Sequence, residues 1–365
     1  MRANALGKIF KIEKQLGRGD LFEVIAAFPQ NRTEKYIFQH EDCDGLGALL
    51  RLSRKWNSKE LHLPAFKMNL KRSTLWGGVR GLLGDLQPRK TLWKNLEKQA
   101  PYTPQHLARR VFDKSSSTAI FAAASEHKVN LNTLLLWIIN HVVCEQLLLA
   151  QQHQCHWLLP VNTRRSEERQ CDSNRTSSIG LHFDRCASLQ DLFANYKKSL
   201  NPWHALGNER LTEFLARLSE KNLLALARLR GSKNSWIGSF SNLGRWDFPE
   251  NLNDAGWPTH ISIAPPAGTP CFPIGVGIIT WQGHMSISLR LHAALCQENS
   301  NQPEAILDAA KQFLEDFVKL PLAMVDSSVL DEKNDDTKIQ NQNEKILFSE
   351  HNSLCKVLSG ASHSH

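Results

Sequence analysis

The chain has 365 residues, 41% of them hydrophobic and 22% charged, an ordinary globular composition that excludes disorder over most of its length. That length suits two or three domains, or one large two-lobed unit. Its net charge of +8 is local: between Arg51 and Arg110 fourteen Lys or Arg stand against Glu60, Asp85 and Glu97, so this stretch attracts polyanions.

In chain order, Lys8 to Ile12, Leu21 to Ala27 and Lys35 to His40 are β-rich runs that predict three short strands. Gly17-Arg18-Gly19-Asp20 and Pro29-Gln30-Asn31 split them. A helix is expected from Asp44 or Gly45, where Leu46, Leu49, Leu50 and Ser53 keep helical spacing and Trp56 sits near the end. Residues 57 to 117 are basic, broken by Gly and Pro, and read as a long surface excursion. Leu131 to Ala150 is the most apolar stretch. It carries Asn132, Asn140, His141, Glu145 and Gln146, so it predicts a core helix rather than a membrane span.

A strand is expected at His156 to Val161, a loop at 162 to 178 and another strand at Ile179 to Phe183. Ser188 with Asp191 predicts a capped helix, and a second helix spans about Glu209 to Arg230, stopping at Gly231. The last third predicts strands at Ser235 to Asn242, His260 to Ala264, Ile274 to Trp281 and His284 to Leu291. Gln282-Gly283 makes the hairpin turn, and a helix closes from Pro303 to Leu320. Residues 326 to 365 read as a polar flexible tail. The pattern is α/β with large antiparallel or mixed sheets.

Eight cysteines, at positions 43, 144, 155, 171, 186, 271, 296 and 355, include no C-x-x-C pair. This argues against a zinc ribbon or a redox dithiol. Met1 to Leu16 carries no secretory apolar run, so reduced thiols in a cytoplasm are expected. The Asn-x-Thr triplets at Asn31 and Asn174 are then expected to be unused.

Chemistry concentrates in His40-Glu41-Asp42-Cys43-Asp44-Gly45. A strand delivers His40 to its end and a helix leaves after the loop, which suits an imidazole acting on a hydroxyl, amine or thiol. Asp44 can turn back onto an Arg or cap the helix, and Gly45 allows close backbone approach. A metal site on His40, Glu41, Asp42 and Asp44 is disfavoured because adjacent ligands on one short loop rarely converge. Cys43 as a nucleophile lacks a base. Two further strand ends stand out. Leu159-Pro160-Val161-Asn162-Thr163-Arg164-Arg165 offers a guanidinium fork, and Phe240-Ser241-Asn242-Leu243-Gly244 offers a hydroxyl and an amide.

In this order and spacing, HEDCDG, LLPVNTRR, SIGLHF and SFSNLG resemble the condensation-domain and CoA-dependent acyltransferase superfamily, over about Lys8 to Leu320. The resemblance implies a chloramphenicol-acetyltransferase-like two-lobed sandwich. It implies a general base at His40, with Asp44 and Gly45 completing the catalytic loop. It also implies a structural salt bridge from Asp44 to Arg164, or else to Arg165, and Ser241 and Asn242 near the substrate. Gln39 stands where many relatives carry a second His. The His loop starts at residue 40 instead of a third of the way along, so the first lobe is expected to be truncated. The expected division is 1–117 for a partial first lobe, 118–325 for the second lobe and 326–365 for the tail.

The expected activity is transfer of an acyl group from acyl-CoA or an acyl-carrier thioester, as co-substrate, to a hydroxyl or amine. No bound cofactor or metal is implied. An acidic carrier protein is a candidate partner for the basic stretch, and a reduced first lobe favours self-association or a partner chain. The alternative is a condensation-like scaffold without turnover. Nucleic acid is disfavoured, because stacking aromatics are not interleaved with the basic residues in any recognisable module.

Overall fold

β-Branched and aromatic runs pair into two sheets in the computed structural model, which describes residues 2–16, 21–56, 61–65, 90–96, 106–200, 202–233, 236–248, 256–266, 272–295 and 302–319. The smaller sheet has the order β2-β1-β7, from β1 (Leu21–Ala27), β2 (Thr33–Gln39) and β7 (His260–Ala264), all antiparallel. Leu21 pairs with Gln39 in it, which sets His40 just beyond the sheet's edge.

The larger sheet has the order β3-β9-β8-β6-β4-β5. Its strands are β3 (Leu107–Phe112), β4 (Gln154–Asn162), β5 (Thr176–Asp184), β6 (Gly238–Trp246), β8 (Ile274–Trp281) and β9 (His284–Leu291). β6 lies parallel to β4 and β8, and the other pairs are antiparallel, so the sheet is mixed as expected. The β8–β9 hairpin turns on Gln282 and Gly283, both at positive φ (48° and 80°), as two-residue hairpin turns favour.

Among the described residues the helices are α1 (Arg2–Gln15), α2 (Gly45–Trp56), α3 (Lys114–Glu126), α4 (Leu131–Leu147), α5 (Leu189–Ser199), α6 (Pro202–Leu215), α7 (Glu220–Lys233) and α8 (Gln302–Lys319). Helix α4 is the core helix the sequence predicts, burying Leu134, Leu135, Leu136, Ile138, Ile139, Val142 and Val143 against β strands that include Trp157, Leu181 and Val276. Its polar Asn140 is compensated, because the carboxamide accepts from the Trp157 indole N–H at 2.9 Å. No helix among the described residues is long and apolar enough to cross a membrane. A second cluster packs α2, through Leu46, Leu49 and Leu50, onto Phe22, Val24, Ile263, Trp257 and Trp281. Met1–Val318 forms one compact unit.

Four expectations are corrected. Lys8 to Ile12 is helical, inside α1. The three-residue spacing of Lys8, Lys11 and Lys14 carries the reason: Lys8 Nζ donates to the Ala216 and Leu218 carbonyls, Lys11 pairs with Glu220, and Lys14 reaches Gln39 and Glu41. Tertiary contacts thereby override the β propensity of Ile9, Phe10 and Ile12. Regular structure also resumes before the excursion's expected end at residue 117. β3 falls inside the supposed excursion, and the Asp113 side chain caps α3 by accepting from Ser116 N–H. The helix expected over 209–230 is two, α6 and α7. The Ser219 hydroxyl accepts from the Asn222 N–H at the start of α7, and Gly231 lies inside that helix. β6 also begins and ends later than expected, running on through a bulge at Gly244 (φ 86°) to Trp246. Most of the basic stretch and the 326–365 tail lie outside the described residues.

Candidate active site

β2 ends at Gln39, and a tight turn follows in which Asp42 and Cys43 N–H both donate to the Gln39 carbonyl. Asp44 then caps α2, its Oδ1 accepting from Gly47 N–H at 2.8 Å and its carbonyl from Ala48 N–H at 2.9 Å. This is the strand–loop–helix arrangement the motif predicts. The acids of the loop point to different partners, Glu41 to Lys14 and Asp44 to Arg164.

Arg164, and not Arg165, holds Asp44. Its Nη2 donates to Oδ1 at 2.8 Å and its Nη1 to Oδ2 at 2.9 Å, a two-pronged pair. Neither partner is solvent-exposed: Arg164 is 0% and Asp44 3% accessible. The remaining guanidinium bonds go to Asn162 Oδ1, Cys171 O and Ser173 O. Asp44 Oδ2 also accepts from Arg175 N–H at 2.8 Å and the Thr176 hydroxyl at 2.9 Å. Burial would raise the Asp44 carboxyl, but the Arg164 charge and these hydrogen bonds outweigh it and hold the group below its ordinary range. Arg165 instead opens a short turn at Ser166–Glu168, its N–H donating to Glu168 Oε2.

The His40 ring is flanked by two phenylalanines. Phe10 of α1 is stacked at 5.5 Å between centroids and Phe22 of β1 is tilted at 5.0 Å. Asn174 approaches it from the loop before β5, with its Nδ2 2.9 Å from the His40 carbonyl and 3.3 Å from Nδ1. Gly45 faces β6: a Cβ there would lie 2.8 Å from a methyl of Leu243. The tighter approach is at Gly47, where a Cβ would sit 2.0 Å from the Asp172 carbonyl oxygen. Cys43 is buried, and burial pushes its thiol up to about 12, which keeps it protonated near neutral pH.

Ser241 and Asn242 lie on β6 beside Leu243, Ser241 in register with Gly277. Asn242 is engaged by α4. Its Nδ2 donates to Asn132 Oδ1, whose own Nδ2 donates to the Tyr196 hydroxyl. The structure therefore brings His40, Asp44, Gly45 and Arg164 together, and of the β6 segment it places Leu243, the neighbour of Ser241 and Asn242 along the strand, against Gly45.

No protein-family model matches the sequence, and no curated protein sequence matches it. Solved structures do match. The TRI3 trichothecene 15-O-acetyltransferase from Fusarium sporotrichioides is 13% identical with a TM-score of 0.53, over 80% of this chain and 67% of that one. The condensation domain of the Monacolin K polyketide synthase MokA is 13% identical with a TM-score of 0.50, over 80% of this chain and 71% of that one. The chain has the condensation-domain fold. This is the mixed α/β, two-lobed architecture expected from the four motifs.

Within the condensation fold, four contributors to the site escape the motifs. Asn174 and Thr176 sit in a polar loop without periodicity, and Asn174 reads in sequence only as part of an Asn-x-Thr triplet. At 4% accessibility, with its amide engaged by His40 and Thr176, it is closed to glycosylation in the folded chain. Gly47 gives no signal beyond its residue type. Phe10 belongs to a segment whose helical character shows only in the lysine spacing.

Proposed function

We propose that the protein transfers an acyl group from a thioester, acyl-CoA or acyl-carrier, to a hydroxyl or amine acceptor. The observation carrying this reading is His40 at the end of β2, on a loop locked by the buried Asp44–Arg164 pair, in a condensation-domain fold. In the reaction the acceptor oxygen or nitrogen bonds to the thioester carbonyl carbon, the C–S bond breaks, and the acceptor's proton ends on the departing thiol. His40 is the group that meets the acceptor, either taking its proton or holding it by a hydrogen bond for attack. Asp44 and Arg164 contribute by fixing the loop. Ser241 and Asn242 are assigned to the substrate side. The basic stretch at 51–110 supports an anionic donor, through the phosphates of CoA or an acidic carrier protein.

The test is release of free thiol from a panel of acyl-CoAs in the presence of hydroxyl and amine acceptors. The wild-type protein is expected to turn over, and His40→Ala to lose on the order of 10²–10⁴-fold. Thioester binding without thiol release by the wild type would favour the scaffold reading. Release unchanged in His40→Ala would remove His40 from the chemistry.

A further inference from the structure

Two cysteines that the proposed acyl transfer leaves unused touch in the core. Cys144 lies in the last turn of α4, and Cys155, eleven residues on, is the second residue of β4. Their Sγ atoms are 3.5 Å apart, and the residues are 2% and 0% exposed. The elements that carry them are held on both sides. At the end of α4, Arg185 donates to the Cys144 and Leu149 carbonyls, each at 2.8 Å, and Lys94 donates to the Glu145 carbonyl. On β4, Cys155 pairs with Phe183 of β5, and two residues further the Trp157 indole donates to Asn140 of α4 at 2.9 Å. A disulfide needs about 2.05 Å between its sulfurs, so these two need approach by only about 1.5 Å, which small χ1 rotations supply. Cys171 meets the Ser173 hydroxyl instead, and Cys186 is exposed.

We infer that Cys144 and Cys155 form an oxidation-sensitive dithiol, which a peroxide converts into an intramolecular disulfide stapling α4 to β4. The inference goes beyond the acyl-transfer reading and needs nothing from it. In the first step one sulfur, as the thiolate, attacks a peroxide oxygen. The O–O bond breaks, leaving a sulfenic acid and, with a proton, one water. In the second step the other sulfur attacks the sulfenic sulfur, the S–O bond breaks, and a second water leaves. Two thiols and one hydrogen peroxide thus give one disulfide and two waters. Cys155 suits the first role. The hydrogen bond from Cys144 holds its thiol below the ordinary value, helped by Asn140 and the Arg185 charge and opposed by burial. Cys144 is raised by the same contact and by burial, so it keeps its proton and follows as the resolving thiol. Hydrogen peroxide is scarcely larger than water, and local opening of the loop at 148–153 admits it.

The test uses the full chain, fully reduced, exposed to hydrogen peroxide under native conditions and quenched with catalase. Free thiols are then alkylated in denaturant, and the unreduced digest is mapped by mass spectrometry. The expected product joins the peptides that carry Cys144 and Cys155, two hydrogens lighter than the reduced pair. It should vanish on treatment with dithiothreitol and persist in Cys186→Ser, which removes the exposed competitor. The oxidised chain should melt on the order of 5 °C above the reduced one, because the link constrains the unfolded chain. Both thiols still open to alkylation after Cys186 has been oxidised would overturn the inference. So would a bond from either to a different cysteine, or their separate oxidation to sulfinic acids. A linked product that melts below the reduced chain would mean that the bond forms away from the native contact, and would overturn it equally. The mapping is made on the wild type and is independent of turnover: the expected link without thiol release from any thioester would sink the proposed function and leave this inference standing.

Discussion

The Asp44–Arg164 pair gives the most quantitative test of how the loop is held. Five donors surround the Asp44 carboxylate at 2.8–2.9 Å, two of them from Arg164. Arg164→Met removes the countercharge and leaves a buried carboxylate on three uncharged donors, a change that costs about 3–5 kcal/mol in comparable buried pairs. Asp44→Ala leaves the guanidinium its acceptors at Asn162, Cys171 and Ser173 but also removes the cap of α2, worth about 1 kcal/mol, so a loss in the same range is expected. The two losses should not add. Once one partner is gone the other has only a desolvation penalty left to shed, and the double variant should recover about 2–3 kcal/mol of the summed cost. Urea unfolding followed by tryptophan emission measures this, since Trp246, Trp257 and Trp281 lie in the core beneath α2. Additive losses, or an Arg164→Met cost below about 1 kcal/mol, would refute the reasoning.

The two glycines of the loop should separate cleanly. Gly47→Ala drives a Cβ into the Asp172 carbonyl and should cost about 1–3 kcal/mol or more, whereas Gly45→Ala meets only Leu243 methyls that can rotate and should cost under about 1 kcal/mol; thermal melts that rank them the other way would count against the packing described. Acid dependence follows from Asp44, whose folded pKa lies below its unfolded value of about 3.9. Its contribution is present above the unfolded value and is lost as pH falls through the folded one, so the stability gap between wild type and Asp44→Asn should narrow below about pH 4. A gap constant from pH 7 to 3 in urea midpoints would mean that Asp44 is not ionised in the folded chain.

What could be read in the sequence tracks how local each determinant is. The His40–Gly45 loop, the Gln282-Gly283 hairpin and the Ser188 cap are written within a few residues, and the structure has all three. The apolar residues of α1 suit a strand equally well. Only its lysines, which reach Ala216, Glu220 and Glu41, decide the matter. Local sequence cannot decide between Arg164 and Arg165 for a similar reason. Adjacent residues on extended chain face opposite sides, so the partner of Asp44 depends on a register between segments 120 residues apart. Asn174 was hidden more deeply, because an asparagine in an irregular polar loop has no periodicity to betray a role.

These distances along the chain constrain how the loop can act. The β1–β2 hairpin needs β7, drawn from residues 260–264, to become a sheet, and an isolated two-stranded hairpin is at best marginally stable. The buried Arg290–Glu23 contact, at 2.9 Å, ties the same sheet to β9. Asp44 is secured from residue 164, the His40 ring from 174 and 10, and the backbone of Gly45 is met by residue 243. Closing segments 120–134 residues apart costs several kcal/mol in chain entropy, more than any one of these ties returns, so they form only together with the rest of the fold. A substitution at Arg164 should therefore register first in global stability.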